Sequence, residues 1–305
     1  MIEAALYQHL QSQTESLEAH LAKYSGKMAI FNQEAPADND EGWETESQYG
    51  RIVFALDLSE DPQRKYSATL VVDVMCEDGV QVPEVLEPIV RLLIDGYFFS
   101  TTDITLSAQW SASNYFTDPT EKIVGVTLTF GLLAFPNQST IEPDPIALLN
   151  KWTQEELKTA LGRNVRVIGC DSLEAAWKPT NEAPAIYWRL SDITSCSWIP
   201  DTFNCSWQTA VVYGHIMAQD KDVNAIIARE ISRILTLKRR LIFEDQSPLM
   251  VDRNIRINLA NDQLRVGQIS LEATYGILNI PKPSNPLNNV YQKHCHVSQK
   301  IERRS

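Results

Sequence analysis

The feature that most constrains this chain is an order of elements that occurs twice. SATLVVDVMCEDG at 67–79 reads like QTAVVYGHIMAQD at 208–220, about 141 residues later. At similar displacements, VPEVLEPIVRLLIDG at 82–96 is answered by DVNAIIAREISRILTLKR at 222–239, and GVTLTFGLLAF at 125–135 by QISLEATYGIL at 268–278. The likeness lies in the succession of apolar patterns more than in residue identity. Each copy carries the same kinds of half-apolar strands and helices and must bury them, so two similar units in tandem are expected. A length of 305 residues agrees with two domains of ordinary size.

The first copy opens with an amphipathic helix over 2–24, where Ile2, Leu6, Leu10, Leu17 and Leu21 share one stripe. An acidic loop, NQEAPADNDEGWETES at 32–47, follows. Strands are expected over 49–59 and 67–77, both rich in β-branched residues, with EDPQRK as the turn between them. The apolar helix at 82–96 begins beside a proline and stops at Asp95-Gly96. Strands over 104–115 and 123–135 close the copy.

The second copy runs as a helix over 146–161, the segment VRVIGC at 165–170, and a strand over 183–193 that matches the first strand of copy one. A strand at 208–220, a helix at 222–239 and a strand at 268–278 complete it. Val223, Ile226, Ile227, Ile231, Ile234 and Leu235 form the apolar face of that helix. The Pro- and Asn-bearing FPNQSTIEPDPIA at 135–147 reads as a short linker. Residues 279–305 are proline-bearing, net basic and without apolar periodicity, which reads as an extended arm. The expected division is therefore a first unit at 1–140, a second at 141–278 and the arm at 279–305.

Composition excludes several classes of function. A net charge of −12 has the wrong sign for neutralising phosphates, so no nucleic-acid partner is expected. No run of about twenty apolar residues is present, so no membrane partner is expected either. The N-terminus has no basic region ahead of an apolar stretch, which reads as no signal peptide and a chain kept in a cytoplasm unless a particle carries it out.

The residues that usually carry chemistry do not converge. His9 and His20 fall among polar neighbours on the first helix and read as solvated; His215 alternates within a strand and reads as a sheet residue. His294-Cys295-His296 offers metal-ligand types, but adjacent residues on an extended chain point to opposite sides. Cys196 and Cys205 sit in two CSW segments that could face each other across a hairpin, where paired-strand packing is expected rather than a disulfide. No nucleotide-binding glycine motif occurs. The acidic residues of 32–47 do not follow the EF-hand spacing. No catalytic residue, metal site or cofactor is therefore expected, and the chain reads as a non-enzyme. The acidic loop reads as solvated, with docking to a basic neighbour as its functional alternative.

Five features together resemble the tail-terminator and tail-completion proteins of phages. They are the helix from Leu6 to Leu21, the loop from Gln33 to Pro36, the strand Tyr49-Gly50-Arg51-Ile52-Val53-Phe54, the strand at 68–76 and the helix at 82–95. The tandem copy departs from the usual single unit and looks most like the collar or cap proteins of contractile tails, including phage-tail-like bacteriocins.

The resemblance implies an α+β fold of two tandem tail-terminator-like units, each an antiparallel or mixed β-sheet packed against two helices. It implies a homo-oligomeric ring, commonly a hexamer, that sits on the last ring of the tail tube, ends tail polymerisation and anchors the terminal sheath ring. Tube and sheath proteins would be the partners, and two units per subunit allow one tier to face each. Interface residues are expected in the acidic loop, at Asp38, Asp40, Glu41, Trp43 and Glu44, and in the basic arm, at Lys293, Lys300, Arg303 and Arg304. Another tail component, such as a baseplate or head–tail adaptor protein, fits the same pattern. A small-molecule-binding α+β protein would instead need a polar, concave pocket.

Overall fold

The computed structural model describes residues 2–44, 47–61, 64–138, 142–202, 204–252 and 255–278. The expected arm at 279–305, with Lys293, Lys300, Arg303, Arg304 and the His294-Cys295-His296 triplet, lies outside the described residues. The protein is α+β. Among the described residues it has two curled, mixed β-sheets, each a half-barrel, and five helices, one of them running through three consecutive segments from Pro145 to Leu161.

The first half of the chain supplies α1 (Ile2–Ser12), α2 (Thr14–Leu17), β1 (Lys23–Tyr24), β2 (Lys27–Met28), β3 (Ile30–Asn32), β4 (Arg51–Asp61), β5 (Arg64–Glu77), α3 (Pro83–Ile94), β6 (Phe98–Ser100), β7 (Thr105–Asp118) and β8 (Ile123–Ala134). The second supplies α4 (Pro145–Trp152), a π-helical turn (Thr153–Leu157), α5 (Lys158–Leu161), β9 (Arg166–Val167), β10 (Ala176–Trp177), β11 (Ala185–Ser195), β12 (Cys205–Met217), α6 (Lys221–Lys238), β13 (Arg240–Ile242), β14 (Pro248–Val251), β15 (Arg256–Ile257) and β16 (Ile269–Leu278).

The sheets repeat one topology. The first has the order β10-β6-β7-β8-β5-β4-β3, the second β13-β14-β16-β12-β11-β9 with β15 also beside β16. In each, a short strand lies parallel to the first arm of a long hairpin, β3 on β4 and β9 on β11, and every other pairing is antiparallel. In each, the chain then passes through a long helix and returns as a strand beside the second arm of the hairpin, β8 on β5 and β16 on β12.

Each sheet buries one face against two helical segments. In the first, Leu6 and Leu10 of α1 and Leu86, Val90 and Ile94 of α3 meet Phe54, Val72, Leu128 and Phe130. In the second, Leu149 and Trp152 of α4 and Ile227, Ile231 and Leu235 of α6 meet Ile186, Trp188, Val212 and Leu271. The opposite faces of the two sheets meet at a third cluster, where Phe98, Leu133 and Phe135 from the first half pack on Ile168, Tyr187 and Met217 from the second. Strand alternation makes this possible: Ile186 and Trp188 face the helices, while Ala185 and Tyr187 face the other sheet. Residues 185–188 are consequently buried on both sides and read as an unbroken apolar run.

Two helices depart from the expected shape for identifiable reasons. The helix expected over 2–24 ends at Ser12. There the Ser12 hydroxyl donates to the His9 carbonyl at 2.6 Å, and the Gln13 N–H turns to Leu10 O at 3.1 Å, so the α-helical ladder is interrupted. The helix expected over 146–161 is continuous but widens through Thr153–Leu157. The buried Thr153 hydroxyl donates to Leu149 O at 2.7 Å and accepts from Trp188 Nε1 at 2.8 Å, so a side chain from the sheet enters the helix where it widens. Asp144 begins that helix by accepting from the N–H groups of Ile146 and Ala147.

His9 is not the solvated group expected from its neighbours in sequence. Its Nε2 donates to Leu93 O at 2.7 Å, and its ring lies 4.5 Å from that of Tyr97. The two CSW segments do flank one hairpin, with Cys196 N donating to Trp207 O at 2.9 Å, and both thiols are free. No described helix is long and apolar enough to cross a membrane.

Two predictions follow from this packing. Gly214 lies directly across from Trp188, and a Cβ there would sit 2.7 Å from Trp188 Cζ3. Gly214→Ala is expected to cost about 1–3 kcal/mol in urea denaturation. Gly131→Ala, where nothing lies within 4 Å, should leave stability unchanged or slightly raised. Burial lowers the pKa of His9 from its usual 6.5. The unfolded chain therefore takes up that proton first as pH falls through 6.5 toward the folded-state value, and stability should drop over that interval. In His9→Gln, this part of the pH dependence of the thermal midpoint should disappear.

Candidate functional site

Residues 32–44 of the acidic loop form a folded structure seated on an aromatic base, residues 45–46 lying outside the described residues. Tyr24, Phe31 and Trp43 pack edge-to-face, with centroids 5.6, 5.2 and 5.7 Å apart. Trp43 Nε1 donates to Ala37 O at 3.0 Å, which closes the loop over this base. Ser25 N–H donates to Gly42 O at 2.8 Å and Glu44 N–H to Lys23 O at 3.1 Å, so the far end of the loop is laced to the β1–β2 turn. Gly42 admits the Tyr24 ring: a Cβ there would fall 2.5 Å from Tyr24 Cε2.

The expected interface residues of this loop have distinct environments. Asp38 accepts from Arg51 Nη1 at 2.7 Å and from the Tyr49 hydroxyl at 3.1 Å, while the Arg51 guanidinium lies over the Tyr49 ring at 4.8 Å. Asp40 accepts from the Tyr24 hydroxyl at 2.9 Å and from Gly42 N–H at 2.8 Å. That hydrogen bond, with a smaller effect of desolvation, raises the Tyr24 pKa. Glu44 accepts from Gly26 N–H. Trp43 belongs to the aromatic base. Glu41 is exposed at the loop's outer surface, as is Glu34 at its start. Beside the loop runs a groove of about 790 Å³, lined by Tyr7, Tyr24, Met28, Ile30, Phe31 and Pro36 among others, with Lys27 and Glu34 also on its lining.

Two further surfaces carry no motif that sequence reasoning singled out. The first is the outer edge of β7. This strand pairs with β8 along its length but with β6 only over 105–107; the Trp110 N–H donates to Asp95 Oδ1 at 2.8 Å, and among the described residues 111–118 form an open edge. A bulge at Ser111 shifts the register there, and the Ser111 hydroxyl donates to Thr129 O at 2.9 Å. Helix α3 is tied along this edge. Buried Glu87 accepts from the Ser113 hydroxyl at 2.7 Å and pairs with Arg91 at 3.3 Å, and Arg91 lies over the Trp110 ring at 4.8 Å. Around these contacts Trp110, Tyr115, Val82, Val85 and Leu92 stay exposed. Val85 and Leu92 are seven residues apart on one helix, and so share a face.

The second surface is a groove of about 970 Å³ on the second sheet, lined by Trp198, Lys238, Arg239, Arg240, Met250, Asp252 and Glu272 among others. Lys238 is held by Glu156. Arg239 and Arg240 are exposed. Trp198, on the connection between β11 and β12, is 66% exposed. The run Leu237-Lys238-Arg239-Arg240 was visible in the sequence, but its adjacency to Trp198 depends on the curl of the sheet.

Elsewhere the chemistry stays dispersed. Among the described residues no group of three or more His, Cys, Asp or Glu is placed to hold a metal ion. The Cys76 thiol is buried in the first core, where desolvation pushes its pKa up to about 11. No protein-family model matches this sequence, and no curated protein matches it.

The aromatic base sets the order of the acidic loop. Trp43→Ala removes one wall of the triad and the bond to Ala37, so amide exchange across 33–44 should accelerate by about tenfold or more. Exchange in β5 and β8 should be unchanged. Equal acceleration in those strands would show that the substitution had weakened the whole unit instead.

Proposed function

We propose that this chain is a structural tail terminator, a collar or cap subunit that forms a ring on the last ring of a tail tube, ends its polymerisation and anchors the terminal sheath ring. The observation that carries the reading is the strip formed by the open edge of β7 and the exposed apolar stripe of α3. An open strand edge flanked by exposed aromatic and aliphatic side chains is suited to adding a strand or a helix from another subunit. The first sheet already accepts such an addition nearby: β10, from the far half of the chain, pairs antiparallel with β6. The doubled topology supports the same reading, as does the resemblance of Leu6 to Leu21, Gln33 to Pro36, 49–54, 68–76 and 82–95 to tail-terminator proteins.

In this reading the strip is where a tube or sheath subunit seats. Glu87, Arg91 and Ser113 hold α3 against the strand edge, so the surface is preorganised and loses little freedom on contact. Buried apolar area at Tyr115, Val85 and Leu92 would supply most of the affinity.

Purified protein should form closed rings in negative-stain images and should limit tube length when mixed with its cognate tube protein. Leu92→Glu with Tyr115→Arg changes only exposed side chains. That variant should still form rings but bind tube or sheath at least tenfold more weakly, a loss of about 1.4 kcal/mol. A wild-type protein that stays monomeric at high concentration, and leaves tube length and sheath attachment untouched, would sink the proposal.

A further inference from the structure

The ring reading leaves open how neighbouring copies meet, and two surfaces on opposite halves of the chain complement each other. The groove beside the acidic loop is apolar along Tyr7, Met28, Ile30, Phe31 and Pro36, and has Glu34 on its lining. Glu41, on the adjoining loop, is exposed and has no ion pair among the described residues. The second half presents Trp198, a large apolar side chain that is 66% exposed, on a connection that borders the same groove as Arg239 and Arg240. Neither arginine belongs to an ion pair among the described residues.

We infer that copies of this chain meet head to tail, with Trp198 of one copy seated in the groove lined by Tyr7, Met28, Ile30, Phe31 and Pro36 of the next, and Arg239 and Arg240 facing Glu34 and Glu41. The inference rests on the ring reading above and names its subunit contact.

Three physical arguments carry it. The first is size: an indole buries about 150–250 Å², and a groove of about 790 Å³ accepts it together with the neighbouring Ile199 and Pro200. The second is charge. The chain carries −12 overall, so like copies repel unless positive groups are concentrated where they touch. Arg239 and Arg240 supply such a concentration. Asp252 and Glu272 line the same groove and have Lys27 of the receiving copy as a counterpart. The third is geometry. The donor patch lies on the second half of the chain and the acceptor on the first, so every copy can be donor and acceptor at once. Contacts of that kind propagate, and form a ring where the rotation between copies closes, whereas a self-complementary patch stops at a dimer. The acceptor is braced by the Tyr24–Phe31–Trp43 triad, so little ordering opposes docking.

The test uses the full chain in sedimentation velocity. Trp198→Ala should weaken self-association at least tenfold. The double reversals Arg239→Glu/Arg240→Glu and Glu34→Arg/Glu41→Arg should each do the same, and all three should keep wild-type circular dichroism and thermal midpoints. An equimolar mixture of the two reversed proteins should recover assembly, because each acceptor again meets an opposite charge. Association of all three variants at wild-type strength would overturn this contact while leaving the ring standing. Weakened variants with no recovery on mixing would overturn the pairing of these charges. A wild-type chain that never associates would defeat the ring reading and this contact together.

Discussion

The packing of Phe98, Phe135 and Tyr187 holds the two halves of this protein in register. Phe135 stands 5.4 Å from Phe98 and 5.1 Å from Tyr187 between ring centroids, and the Tyr187 hydroxyl donates to Pro136 O at 2.9 Å. The start of the segment expected to be a linker, Phe135 and Pro136, is thus part of a core, while residues 139–141 of it lie outside the described residues. Gln138 extends the same tie by accepting from Leu190 N–H at 2.7 Å. Lys178, just beyond β10, donates to Asp95 O at the end of α3. A buried aromatic contact, a paired strand and several polar ties act on one seam, so the sheets resist moving as separate bodies.

That seam determines which surfaces remain for partners. One face of each sheet is committed to its helices, and the base of the other face is committed to the seam. Among what stays exposed are the far ends of the long hairpins, the open edge of β7, the outer face of α3 and the loop beside β3. The burial of β7 records this directly, being buried over 106–108 and largely exposed beyond 109. Both the tail-protein contact and the copy-to-copy contact proposed above use these uncommitted regions. Their aromatic residues, Trp110, Tyr115 and Trp198, suit that role because they offer large apolar area with few rotatable bonds.

The acidic loop shows how charge can mislead about order. Its density of Asp and Glu reads as solvated chain, yet Asp38 and Asp40 are spent on Arg51, Tyr49, Tyr24 and Gly42 within the same unit. Asp38 stays half exposed in its pair with Arg51, and a pair open to water on one side contributes little by itself. The order comes from the aromatic triad beneath, and the carboxylates fix the backbone above it.

By itself the sequence determined the larger elements, because their signals are periodic and local. The stripe Leu86, Val90 and Ile94 of α3, the β-branched runs of β4, β5, β8 and β12, and the repetition of their order specify two α+β units without reference to anything distant. The strands β3, β6, β9 and β10, of two or three residues each, could not be read, since a period needs several residues to show. The candidate surfaces divide the same way. Trp43 and the carboxylates of 32–47 could be picked out as a dense local cluster. The placement of Trp198 beside Arg239 and Arg240, of α3 along the β7 edge, and of Phe135 against Tyr187 was decided only by the tertiary structure. Each joins residues far apart in sequence, and whether two such residues meet depends on sheet curl, register and the closure of the seam, which no local pattern encodes.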